Sequence, residues 1–181
     1  MSEPDLVARD GREPGPAETL LAEIVNGFRT QKRAGDAALA QLADDDWQRR
    51  LDPESNSIAV LVRHLDGNMR SRWSDFLASD GEKPTRERDA EFEDAAVAPD
   101  ELRRVWERGW ATVFTAIEPL TPADVTRVVT IRGEPHSVAG ALLRQLTHYA
   151  QHVGQIVLLA KHLRGPAWRT LTMPRRRPPP A

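Results

Sequence analysis

LLRQLTHYAQHVGQIVLLAKHL (Leu142–Leu163) places apolar side chains at Leu142, Leu146, Tyr149, Val153, Ile156, Ala160 and Leu163, in strict alternating steps of four and three. That spacing keeps one stripe on one face of an α-helix, and it predicts a helix from about Val138 to Leu163 that packs as a bundle seam. His148 and His152 stand on one shoulder of the seam. They lie about 40° apart around the axis and roughly 6 Å along it, so two imidazoles so placed can bind one ion. The pair by itself admits a second reading, two boundary histidines making hydrogen bonds. A zinc-protease motif is excluded, because Tyr149, Ala150 and Gln151 lie between the histidines with no glutamate after the first.

Three more windows carry helical periodicity. The first runs from about Glu18 to Ala43 on Leu21, Ile24, Phe28, Ala38 and Leu42. The second follows the cap-rich ESNS (Glu54–Ser57) and reaches about Leu77 through Ile58, Val62, Leu65, Met69, Trp73 and Phe76. The third has Pro99 in its first turn, Asp100 and Glu101 at its positive end, and a stripe of Leu102, Trp106, Val113 and Ile117. The fold class expected is all-α: a four-helix bundle. VTRVVTIRGEPHSV (Val125–Val138), β-branched on both sides of a Gly-containing turn, predicts a short β-hairpin or extended crossover between helices 3 and 4. SDGEKPTRERDAEFED (Ser79–Asp94) is charged and aperiodic, and loops of that length in compact domains are often functional or disordered.

At 181 residues the chain suits one domain, expected over residues 17–170. Residues 1–16, with three Pro and two Gly, are expected to be a disordered tail, and residues 171–181 an Arg/Pro-rich tail that includes Arg175–Arg177. The formal charge of −2 gives no basic field for nucleic acid. Cys is absent, so any metal must use His, Asp or Glu, and no stretch is long and apolar enough to span a membrane. A cytoplasmic location is expected.

On the second helix, His64 also stands on a seam shoulder, with Asn68 one turn further and Arg72 and Asp75 continuing that line. Arg72 falls inside the apolar stripe, where an unpaired charge is costly. It calls for an anionic partner, from Asp75 or a glutamate on another helix, or for a polar pocket between helices 2 and 4. Arg144 precedes His148 by one turn and Gln155 follows His152, which a solvated face explains as well as a site does. His136 reads as a turn histidine and His162 as exposed.

Two blocks, NSIAVLVRHLDGNMRSRWSDFLASDGEK (Asn56–Lys83) and IRGEPHSVAGALLRQLTHYAQHVGQIVLLAKHL (Ile131–Leu163), resemble an uncharacterised bacterial family of the DinB-like superfamily of metal-dependent enzymes. The likeness covers roughly Glu18 to Met173. It implies a four-helix bundle with an inserted crossover and a divalent ion held by His64, His148 and His152. Three neutral imidazoles leave the ion its charge and open positions, the pattern of a catalytic site, and suit Zn, Ni or Fe. Members of the superfamily include transferases and isomerases that use bacterial low-molecular-weight thiols. The expected function is such thiol chemistry on a small-molecule substrate, with Arg72 or Arg144 steadying an anionic part of the thiol and Asn68 orienting a ligand. Metal-water hydrolysis is the alternative, for which no general base is evident near the histidines. A non-catalytic metal-stabilised binding or stress-response protein is another. A homodimer is expected too, because relatives are often dimers and five Trp, with Trp106 and Trp110 one turn apart on the third helix, exceed what one bundle core obviously needs.

Overall fold

Four amphipathic helices cannot bury their apolar stripes alone, and in the computed structural model, which describes residues 13–173, they do so against each other. The helices are α1 (Pro16–Leu39), α2 (Ile58–Trp73), α3 (Pro99–Ile117) and α4 (Val138–Arg164). An antiparallel pair, β1 (Val128–Ile131) and β2 (Glu134–Ser137), joins α3 to α4, so the all-α bundle with an inserted hairpin is the fold. The tails expected over residues 1–16 and 171–181 lie outside the described residues as far as residue 12 and from residue 174 onward, Arg175–Arg177 included.

Local chemistry sets the helix ends. Pro16 and Pro99 open α1 and α3, where a missing N–H costs nothing. Ser57 and Ser137 cap α2 and α4 by accepting hydrogen bonds from Val60 N (3.3 Å) and Gly140 N (3.0 Å). The hairpin turns at Arg132 (φ 56°) and Gly133 (φ 78°), two successive left-handed residues as a tight type I′ connection requires. That resolves the hairpin-or-crossover expectation in favour of the hairpin.

Helices α1 and α4 pack together, as do α2 and α3, and α2 also meets α4. The last contact brings the His64 face of α2 against the histidine shoulder of α4. The predicted seam holds: Leu142, Tyr149, Val153, Ile156 and Ala160 are buried, with Leu146 and Leu163 partly so. Helix α2 is buried on nearly every side, because the segment after it folds back over the face that α3 and α4 leave open.

Three expectations are corrected. The first helix ends at Leu39 instead of Ala43, although Leu42 stays in the core from the following turn. The second ends at Trp73 instead of Leu77, because Ser74 is extended and Asp75 turns left-handed (φ 50°), yet Phe76 still reaches the core. Trp106 and Trp110 are buried, their rings 5.6 Å apart, so the tryptophan pair is core and gives no reason to expect an interface. Among the described residues, no helix is long and apolar enough to cross a membrane.

Candidate metal centre

His64 on α2 and His148 and His152 on α4 converge. His148 Nε2 lies 3.3 Å from His64 Nε2 and 3.0 Å from His152 Nε2, and one ligand atom from each of the three lies within 4.8 Å of the others. Donors about 2.0–2.1 Å from one tetrahedral ion sit roughly 3.3 Å apart, so the two separations from His148 are those of ligands on one ion. No other group of three or more metal-ligating side chains occurs among the described residues.

What the far ring nitrogens do decides whether these rings can serve as ligands. His64 Nδ1 donates to Glu91 Oε2 at 2.9 Å, and His152 Nδ1 donates to Gln155 Oε1 at 2.8 Å. Each bond puts a proton on Nδ1, so the neutral form of each ring presents Nε2 as the lone pair toward the shared point. Burial pushes His148 down to about 3, and the charges of His152, His64, Arg86 and Arg72 push in the same direction. Burial also lowers His152, against the opposing hydrogen bond to Gln155. At neutral pH these two rings are therefore uncharged, the form a cation needs. The donor set fits a divalent ion.

Glu91 comes from the aperiodic loop, 27 residues beyond His64. Burial alone would raise its carboxyl, but hydrogen bonds from Arg86 and His64 outweigh burial and hold it below the usual value. Arg86 grips it side-on, with Nε 2.8 Å from Oε1 and Nη2 2.8 Å from Oε2, and the Arg86 side chain is only 4% exposed. Phe92 lies against the His64 ring with centroids 4.7 Å apart. Gly67, one turn along α2, makes room for the carboxylate, since a Cβ there would fall 2.1 Å from Glu91 Oε1. Glu91, Arg86 and Gly67 were not among the residues expected from sequence. The loop offers six acids between Glu82 and Asp94 with no periodicity to select one. The one usable signal was chemical: a metal-binding imidazole seeks a carboxylate for its other nitrogen.

Other expected residues fall nearby with different partners. Asn68 is buried, and its Oδ1 accepts the Tyr149 hydroxyl at 3.1 Å, while that hydroxyl accepts from Trp73 Nε1 at 2.8 Å. Arg72 is buried as its position in the stripe required, but its ion-pair partner is Glu82 of the loop. Neither Asp75 nor a glutamate on another helix takes that place, because the chain turns away at Asp75 and brings Glu82 back over α2. Arg144 is exposed, and so is His162, while His136 pairs with Val129 in the hairpin, outside the centre.

A helical bundle with three imidazoles converging from two packed helices, one of them backed by a carboxylate, belongs to the class of bundles with a candidate metal site. The chain is a member of the family described as protein of unknown function (DUF1572), whose model matches residues 16–177. No curated protein matches the chain.

Proposed function

We propose that this protein is a divalent-metal-dependent enzyme of the DinB-like superfamily, in which His64, His148 and His152 hold Zn, Ni or Fe. In this reading a low-molecular-weight thiol is the nucleophile in a transfer or isomerisation reaction on a small electrophile. The observation that carries it is the convergence of three Nε2 atoms whose far nitrogens, on His64 and His152, are tied to Glu91 and Gln155. When bound there, an ion would supply a Lewis acid that acidifies a thiol or a water.

The protein's own groups favour the thiol over hydrolysis. A hydrolase needs a base to position and deprotonate water. Glu91 is the carboxylate in contact with the triad, and it serves the reverse side of His64 with both oxygens engaged by Arg86 and its charge stabilised. A thiol brings its own nucleophilic atom and needs less help. Arg144, exposed one turn before His148, is suited to meet an anionic thiol arriving from solvent, and Asn68, held by Tyr149, to fix the ligand's orientation on the His64 face. A cytoplasmic location fits, because small thiols stay reduced there.

The test is metal content by elemental mass spectrometry on protein purified without a His-tag, for wild type, His64→Ala and His152→Ala. About one ion per chain is expected in the wild type, lost in both variants while the helical circular-dichroism signal persists. An ion-free wild type, even after incubation with Zn²⁺ and Ni²⁺, would overturn the reading.

A further inference from the structure

Arg86 and Arg72 reach the same loop carboxylate, Glu82, yet only one of them is satisfied. Arg86 presents Nε and Nη2 to the two oxygens of Glu91, both at 2.8 Å. Arg72, 3% exposed, presents the same fork with Nε unpartnered and Nη2 held by Glu82 Oε2 at 3.4 Å; Nη1 is also buried without a hydrogen bond. Buried charged donors are rarely left in that state, and an unmade bond of this kind disfavours the fold unless a ligand completes it.

The surroundings suit an anion. Glu82 is divided among three guanidiniums, accepting from Arg86 Nη1 at 3.3 Å and Arg132 Nε at 3.1 Å as well as from Arg72. At 24% exposure it can leave Arg72 and keep the other two. Arg72 stands two turns beyond His64 on α2, roughly 12 Å along the axis with Asn68 between them, so the fork and the histidine centre share one stretch of that helix, and the charge of Arg72 acts on His148. Gly81 lets the backbone close on the far side of the guanidinium, since a Cβ there would stand 2.7 Å from Arg72 Nη1 and 2.9 Å from its Cδ. Imidazole side chains add no negative charge to offset a cation.

We propose that the ligand of the three-histidine centre carries a carboxylate, which Arg72 receives on its Nε and Nη2 fork while Glu82 withdraws to Arg86 and Arg132. Glu82 is thus an internal stand-in for the ligand's own anion. A planar two-oxygen acceptor matches this fork, as Glu91 does on Arg86. The proposal rests on the metal-and-thiol reading above and narrows its substrate class to carboxylate-bearing thiols.

The test uses two signals: the thiol-to-Co²⁺ absorption band of Co²⁺-loaded protein for the centre, and, in protein loaded with diamagnetic Zn²⁺, the ¹⁵N-resolved Nε–H resonance of Arg72, assigned through Arg72→Lys. Mercaptoacetate is expected to move both saturably and to bind about tenfold tighter than 2-mercaptoethanol, which moves only the band. Arg72→Lys should erase that preference. Glu82→Gln, which removes the competitor and leaves Arg72 in place, should strengthen mercaptoacetate binding and serves if Arg72→Lys does not fold. An Arg72 resonance unmoved at mercaptoacetate concentrations that saturate the band would overturn the carboxylate proposal and leave the thiol reading standing. If neither thiol changes the band, the thiol reading fails, and acetate then decides the subsite: a saturable shift of the Arg72 resonance upholds it, and none ends it. Failure to bind Co²⁺ would remove the three-histidine reading and this proposal together.

Discussion

Glu91 is the residue whose chemistry most affects the centre without touching the shared point. Its bond to His64 Nδ1 fixes the tautomer, and loss of such a partner lowers metal affinity roughly 10- to 100-fold. Glu91→Gln is expected to show that drop in a competitive chelator titration. Gly67→Ala should reproduce it from the opposite direction, because the new Cβ and Glu91 Oε1 cannot both stay where they are. An unchanged affinity in both variants would show that His64 needs no support. His148 makes a separate prediction for the metal-free protein. Its folded value of about 3 lies below the ordinary 6.5, so the unfolded chain binds more protons between those values and stability rises with pH there. The contribution is fully present above about pH 6.5 and is lost as the pH falls toward 3. Urea denaturation at pH 7 and pH 5 should therefore show a smaller acid loss in His148→Gln than in the wild type.

At the scale of elements, α2 and α4 are locked by a buried chain of hydrogen bonds from Trp73 through the Tyr149 hydroxyl to Asn68. Tyr149→Phe deletes the shared hydroxyl and strands a donor and an acceptor, so it should cost about 1–3 kcal/mol in chemical denaturation. Metal binding should survive it, since the three imidazoles keep their own supports. The aperiodic loop is stitched down as firmly as a helix. Ser71 Oγ donates to Gly81 O and accepts from Lys83 N; Asp80 accepts from the backbone N–H groups of Arg132 and Gly133; Arg86 grips Glu91. Its sequence pattern could not reveal this. Apart from the local grip of Arg86 on Glu91, these bonds join residues brought together by the turn at Asp75 and by the hairpin, and the periodicity that marks a helix carries no information about either.

For the molecule as a whole, the resemblance to DinB-like proteins still proposes a homodimer, although the tryptophans that suggested an interface belong to the core. Light scattering at micromolar concentration checks this: a mass near twice 20.2 kDa is expected, and a monomer would withdraw the proposal. The three imidazoles of the candidate centre all come from one chain, so metal binding is expected to be the same in either state.

The four helices, their order and the facing of α4 could be read from the chain, because a helix's buried stripe is written at intervals of three and four residues and is a local property. The same periodicity placed His64, His148 and His152 on seam shoulders, and it marked Arg72 as a charge in an apolar stripe. Which carboxylates meet them could not be read in this way. Glu91 reaches His64 across 27 residues, and Glu82 takes the place proposed for Asp75, through the path of a loop whose conformation follows from the packing of the helices beneath it. Local spacing fixes the face a side chain occupies, whereas its partner depends on which segments the assembled core holds against that face.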